Sequence, residues 1–193
     1  AIINGEQITG ATTFFLTHEI DTGKIILQEK IDIDANDNAG TIHDKLMILG
    51  AQMVKRTVDL IETDKADAID QSDFMVKVHE LKPAPKIFKE TCQIDLSATV
   101  EVAHNLVRGL SPYPAAWAEL KLPGQTDETV FKIYKTRMEF TSHQYTPGAI
   151  LTDGKTFMKI ALKDGFLYLE NIQTPGKKRM EIVEFLRGQR FSI

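Results

Sequence analysis

The stretch ILTDGKTFMKIALKDGFLYLENI, residues 150–172, decides how the second half of this chain folds. Asp153-Gly154 and Asp164-Gly165 are tight-turn dipeptides that separate three apolar, β-prone runs. Strands are therefore expected over 148–152, 155–162 and 166–172. Met158, Ile160 and Leu162 recur at every second position, so one strand presents all three to one side. Working outward, residues 115–121 and 129–139 read as two further strands, with Phe131 and Ile133 sharing a face. A helix is expected before them, from Ala98 to Leu110, capped by Ser97 and striped by Val102, Leu106 and Leu110. Another is expected after them, from Arg179 to Arg187, with Met180, Val183 and Leu186 at helical spacing. Five short strands between two helices point to a small closed barrel, of which the OB-like barrel is one form.

The first half has a different pattern. ATTFFLTHE, residues 11–19, and KIILQEKIDI, residues 24–33, suit two strands joined by a turn over 18–23. A long helix is expected from Ile42 to Glu62. Thr41 is placed to cap it, with Asp44 three residues on, and its apolar face runs Ile42, Leu46, Leu49, Met53, Val58, Ile61. AIING at the start reads as a last helical turn stopped at Gly5. The strands that follow have few partners within this half, so the chain is expected to begin inside a domain. The class is α/β followed by β. Between the halves, KVHELKPAPKIFKE, residues 77–90, carries Pro83 and Pro85, which forbid a regular helix. It reads as an interdomain linker, dotted with Lys77, Lys82, Lys86 and Lys89. The expected organisation is residues 1–76, a linker over 77–90, and a second domain over 91–193.

Composition narrows the class of protein. The 193 residues, 42% hydrophobic and 26% charged, suit a globular chain of one large or two small domains. No apolar run approaches the roughly 20 residues of a membrane span. Cys92 is the only cysteine, which excludes an internal disulfide and fits a reducing compartment, with the cytoplasm expected. Residues 1–76 hold 6 Lys and Arg against 14 Asp and Glu, whereas residues 77–193 hold 17 against 13. An acidic half joined to a basic half suggests different partners, the basic one facing a polyanion.

Candidate chemistry lies in both halves. The turn at residues 18–23 collects His18, Glu19, Asp21 and Thr22. Asp21 is either an ordinary turn residue or an acid belonging to an active site, and spacing alone leaves both readings open. His43, His79, His104 and His143 are scattered, with no Cys, Asp or Glu at metal-ligand spacing, so no metal is expected. The candidate polyanion contacts are Lys82, Lys86 and Lys89 in the linker, Lys132, Lys135 and Arg137 on the long strand, and Lys177, Lys178 and Arg179 before the last helix. Lys135 and Arg137, two apart, share one face. SPYPAAW, residues 111–117, is expected to shape a rigid turn and anchor the barrel core, with an aromatic platform for a base as the alternative.

Four segments together carry a resemblance. AIINGEQITGATTFFLTHEIDTGKIIL (1–27), AGTIHDKL (39–46), KPAPKIFKETCQID (82–95) and RGLSPYPAAW (108–117) resemble the methionyl-tRNA formyltransferase family, in order and at compatible spacing. The resemblance runs nearly the full length of the chain, and its most specific part is the run from HEIDTG to SPYPAAW. It implies transfer of a formyl group from 10-formyltetrahydrofolate to the amino group of methionine on initiator tRNA. It implies a Rossmann-like catalytic domain followed by an OB-like tRNA-binding domain.

The family's catalytic centre uses an Asn and a His two residues apart plus a later Asp of a D-T-G motif, which falls on Asp21. The Asn-x-His motif and the folate loop are expected ahead of residue 1, so these residues alone are expected to be inactive. His18 and Glu19 are then surface or supporting residues. The alternatives are a sister folate-dependent formyltransferase acting on an amino sugar, and a stand-alone OB-type RNA-binding module.

Overall fold

The computed structural model describes residues 1–75 and 82–189. Its contacts divide the chain into two compact units. One comprises Ala1–Glu6, Asn36–Gly40 and Ile87–Ile193; the other comprises Gln7–Ala35 and Thr41–Lys86. Lys77 and His79 lie outside the described residues.

The second of these units is a hairpin and a helix. Strands β1 (Ile8–Phe14) and β2 (Ile25–Asp32) pair antiparallel from Ile8↔Asp32 to Phe14↔Ile25, with a register shift at Thr13/Phe14. Both are shorter than the sequence pattern suggests, because the chain leaves the ladder at Phe15 and rejoins it at Ile25. Helix α1 (Ala39–Glu62) continues into this unit, and Thr57 Oγ1 meets Thr13 Oγ1 at 2.8 Å. Arg56 pairs with Glu29, and Lys45 reaches Asp34 at 3.0 Å.

Two expectations for α1 need correction. The helix begins at Ala39, so Thr41 lies inside its first turn rather than capping it. Ile42 and Met53 are buried and Leu46 and Leu49 half-buried, but Val58 and Ile61 are exposed. The buried line continues through Thr57 and Leu60, which keep the 3.6-residue period from Met53; Val58 and Ile61 sit one position off it. A short helix, α2 (Gln71–Met75), follows an isolated bridge between Ile25 and Ile69.

The other unit holds the packed core. A 3₁₀ turn, Ile2–Asn4, is closed by Gly5, whose N–H donates to the Ile2 carbonyl at 2.9 Å. It packs on helix α3 (Val100–Leu110), where a Cβ on Gly109 would come within 2.5 Å of Ile3. A second 3₁₀ turn spans Glu90–Cys92. Strands β3 (Ala116–Lys121), β4 (Glu128–Phe140), β5 (Ile150–Thr152), β6 (Met158–Leu162), β7 (Gly165–Gln173) and β8 (Met180–Glu181) form one antiparallel sheet. Its order is β3-β4-β7-β6-β5, with β8 paired to β7, and helix α4 (Ile182–Arg187) follows. Phe131, Ile133, Met158, Ile160 and Leu162 all lie in the core, as their alternation predicts. Phe131 meets Phe185 edge to face, centroids 5.4 Å apart.

Helix α3 departs from its expected start. It begins at Val100, and Thr99 rather than Ser97 caps it, accepting from the Val102 N–H. The Asp164 carboxylate, far away in sequence, takes the Val100 N–H at 2.8 Å. Ser97 instead donates to Asp95 through its N–H and hydroxyl. The buried stripe is Val100, Ala103, Val107 and Leu110; Val102 faces water and Leu106 only flanks the core.

The turn between β6 and β7 is Lys163-Asp164, not Asp164-Gly165. Gly165 is already the first residue of β7, opposite Leu162, and a side chain there would strike the Glu139 carbonyl at 2.1 Å. Met180 belongs to β8 rather than to the last helix, which buries Ile182, Phe185 and Leu186.

Strand β4 carries a bulge. Ile133 pairs with Ile172, Lys135 with Asn171 and Thr136 with Leu169. An unbroken alternation would carry Lys135 into the core behind Phe131 and Ile133. The extra residue flips the phase, so Thr136 turns inward and Lys135 and Arg137 turn outward.

Candidate functional site

The loop between β1 and β2, residues 15–24, is pinned at several places. The Phe15 N–H donates to the Lys24 carbonyl at 3.0 Å. The hydroxyls of Thr17 and Thr22 lie 2.8 Å apart, and each reaches the Glu19 carbonyl. Gly23 is buried against the Phe15 carbonyl, and any side chain there would overlap that oxygen. The Gln71 side-chain amide donates to the carbonyls of both Asp21 and Gly23, each at 2.8 Å. Lys24 pairs with Asp70 at 3.2 Å, next to Gln71.

These bonds leave one group unused. Asp21 sits in the left-handed region, φ 58°, and its carboxylate is exposed with no hydrogen-bond or ion-pair partner among the described residues. A turn-forming Asp accepts a backbone N–H about two residues on. Asp153 does this in its own loop, taking the Lys155, Thr156 and Phe157 N–H groups, and these bonds with the Thr156 hydroxyl hold its carboxyl far below the usual range. Asp21 does not. Leu16 and Ile20 on the same loop are about nine-tenths exposed, and His18 and Glu19 also face water.

The candidate cations fall into different settings. Lys135 and Arg137 converge on Glu170, with Lys135 Nζ at 3.0 Å, and the Arg137 guanidinium lies 3.9 Å above the Tyr168 ring. Arg179 bonds the Asn171 side chain and covers Tyr134. Lys82, Lys86, Lys177 and Lys178 are exposed. Lys89 and Lys132 border a groove beside Trp117, with Lys89 Nζ 6.0 Å from the indole centroid. Tyr113 is 86% exposed rather than in the core; the core anchor of SPYPAAW is instead its Ala115-Ala116 pair, buried where the chain enters β3. Trp117 is half-buried, and its Nε1–H donates to the Lys89 carbonyl at 3.0 Å.

Sequence reasoning missed a ladder of cations and rings on β6 and β7. Lys159 lies 3.8 Å over Phe166 and bonds Glu139 at 3.0 Å. Burial pulls the Lys159 ammonium down, but the bonds and charges of Glu139 and Tyr168 outweigh it and leave its pKa raised. Hydrogen bonds from Tyr168 and Lys159 lower the Glu139 carboxyl. The signal was the alternation of Phe166 and Tyr168 in register with Ala161 and Lys159 across the ladder.

The histidines stay apart. His43 is exposed, and His104 is half-buried with Nδ1 2.8 Å from Thr136 Oγ1. His143 stacks on Phe166, centroids 4.4 Å apart, and its Nε2 faces the Gly165 carbonyl. Among the described residues, no three His, Cys, Asp or Glu side chains gather as metal ligands. No helix among them is long and apolar enough to cross a membrane.

Comparison with known proteins matches two segments of the chain. Residues 86–190 match the family model described as formyl transferase, C-terminal domain, and residues 1–58 match the one described as formyl transferase. A methionyl-tRNA formyltransferase of Bacteroides thetaiotaomicron is 50% identical over 192 residues, covering 100% of this chain and 59% of that protein. The Flavobacterium johnsoniae protein of the same name is 44% identical with the same coverage. The chain thus spans about three fifths of the length of the curated relatives it matches. Among solved structures, HypX from Aquifex aeolicus in complex with tetrahydrofolic acid shares the fold at TM-score 0.65 and 17% identity, over 99% of this chain and 33% of that one. WlaRD, a sugar 3N-formyl transferase, aligns at TM-score 0.62 and 22% identity over 92% and 58%.

Proposed function

The chain belongs to the formyl transferase family, and from that premise we propose that the protein it forms part of transfers a formyl group from 10-formyltetrahydrofolate to the amino group of methionyl initiator tRNA. In this reading residues 1–76 end a Rossmann-like catalytic domain, 77–90 link it onward, and 91–193 form an OB-like tRNA-binding domain. The reaction takes place in the cytoplasm.

The observation that carries the catalytic part is the unengaged Asp21 carboxylate in a loop whose backbone is pinned on every side. Attack of a neutral amine on a formyl carbonyl places negative charge on oxygen and positive charge on nitrogen, and that nitrogen must lose a proton. A carboxylate fixed in place can hold an imidazole or a proton-carrying water in position and stabilise the cation that forms. Thr22 and Gly23 serve the same end: the hydroxyl ties the loop to Glu19, and the missing side chain lets Phe15 close on it. The formyl donor supplies the activated carbonyl when bound, and Asp21 is the one group of its site assigned on this chain.

The tRNA part draws on the exposed cations. The exposed Lys82, Lys86, Lys89, Lys132, Lys177 and Lys178 supply phosphate contacts, together with Lys135, Arg137 and Arg179, which also pair or stack within the fold.

The test is Asp21→Asn in the full-length protein. Turnover should fall by about 10²- to 10⁴-fold, the usual worth of a positioned proton-transfer group, while tRNA affinity changes less than about twofold. An unchanged rate removes Asp21 from the chemistry.

A further inference from the structure

On the outer face of β3 and β4 lies a groove of about 490 Å³. Its walls include the rings of Phe88, Tyr113 and Trp117, and its charged members are Lys89, Lys132 and Glu119. Trp117 stands directly opposite Lys132 in the β3–β4 ladder, and Lys89 overhangs the same indole. The indole N–H is already spent on the Lys89 carbonyl, which fixes the ring's orientation. Tyr113 and Phe88 are exposed, so this is a cluster of rings held at the surface rather than a piece of core. Neither Lys89 nor Lys132 enters any ion pair found among the described residues. Past Lys132 the depression continues into a second hollow of about 150 Å³ against the turn at 173–176.

Aromatic rings at the surface, flanked by two ammonium groups, complement a ligand that is planar, aromatic and tied to negative charge. An apolar peptide would leave the lysines without a role, and a regular duplex offers no free base face. An unpaired nucleotide meets both requirements, because every base has a π-face and its flanking phosphates reach cations. We propose that this groove holds an unpaired nucleotide of an RNA strand, its base stacked among Phe88, Tyr113 and Trp117 and its phosphates against Lys89 and Lys132. Glu119, two residues along β3 from Trp117, excludes phosphate from that end and gives the strand a direction. The inference rests on the reading of tRNA as the partner and adds a site to it.

The chain carries its own reporter, since Trp117 is its only tryptophan. Titration of the 193-residue chain with a single-stranded adenosine pentanucleotide should quench Trp117 emission saturably; a blunt RNA duplex and inorganic tripolyphosphate should not. Tyr113→Ala should weaken the pentanucleotide about 5- to 150-fold, the range seen for loss of one stacking partner. Tyr113→Leu should weaken it similarly, which separates stacking from apolar contact at a position too exposed to disturb folding. Replacing both Lys89 and Lys132 by Ala should reduce the slope of log affinity against log salt by about 1.4. Absence of quenching, equal quenching by tripolyphosphate, quenching by a folate but not by the pentanucleotide, or full affinity in both Tyr113 variants would each overturn the site. The outcomes separate from the formyl-transfer reading. A full-length protein that formylates methionyl-tRNA while Trp117 stays silent sinks the groove alone. A saturable, Tyr113-dependent signal in a protein that formylates nothing keeps the groove and sinks the transferase reading.

Discussion

The two units bury their apolar residues very differently. The sheet unit holds a continuous core from Cys92 to Leu186, with Phe131, Ile133, Met158, Ile160, Leu162 and Ile172 fully enclosed. Among the described residues the hairpin unit buries little beyond Ile25, Ile33, Ile42 and Met53, and none covers Met47, Ile48, Val54, Val58 and Ile61 of helix α1. Burial of apolar area is the main source of stability, so the two units should not be equally robust. The contrast also separates roles. The thin unit carries the unengaged Asp21 carboxylate on a loop whose backbone is pinned, and the thick unit carries rings and cations on its sheet face.

The largest effect should come from paired truncations in the two cores. Phe131→Ala removes a fully buried ring in edge contact with Phe185 and should cost about 3–5 kcal/mol. Met53→Ala, equally inaccessible but set in a sparse neighbourhood, should cost nearer 2 kcal/mol, the low end for such a change. Urea unfolding monitored at Trp117 reports the sheet unit, and far-ultraviolet circular dichroism reports both. Equal costs, or a Met53 cost above that of Phe131, would break the contrast.

Asp164 sharpens it on a smaller scale. Its carboxylate takes the first N–H of α3, tying the β6–β7 turn to a helix 64 residues earlier. Asp164→Ala should cost about 1 kcal/mol, in line with lost N-terminal caps, and Asp164→Asn should recover most of it, because the amide oxygen still accepts. Ser97→Ala should do much less, since Ser97 bonds only Asp95. A Ser97 effect larger than that of Asp164 would restore the cap expected from sequence.

That pair of residues also shows what sequence could and could not tell. Strand existence was legible for β3 to β7, because Phe131 and Ile133, and Met158, Ile160 and Leu162, advertise a period of two, but not for the short β8, where Met180 fits a helical spacing. The role proposed for Asp21 rests on a resemblance, for its spacing fits an ordinary turn and its unused carboxylate is visible only once the neighbouring bonds are placed. What stayed hidden depended on distant partners. The start of α3 is set by Asp164, the outward aim of Lys135 by a bulge against Asn171 and Leu169, and the exposed face of α1 by how little the hairpin covers. The groove was half-legible: SPYPAAW announced rings, but Lys89 and Lys132 meet Trp117 only through a loop and a ladder.

The smallest expected effect is a dependence on pH within the sheet unit. His104 is half-buried on α3 against Thr136; burial, then the nearby Arg108 charge, lower its pKa from the ordinary 6.5, and Glu170 pulls the other way without prevailing. The folded protein thus holds His104 neutral where the unfolded chain would take a proton. Fewer protons on the native state mean that the stability from this residue is fully present above pH 6.5 and is lost as pH falls from there toward the lower folded value. His104→Gln retains a hydrogen-bonding group toward Thr136 but cannot titrate. At pH 7.5 it should lose under about 1 kcal/mol, and between pH 7 and 5.5 its stability should fall less steeply than that of the parent. Carboxylates titrating in the same range act on both proteins, so the difference between the two curves isolates the imidazole. Parallel curves would place His104 in a solvent-like setting and weaken the view of α3 as closely packed on β4.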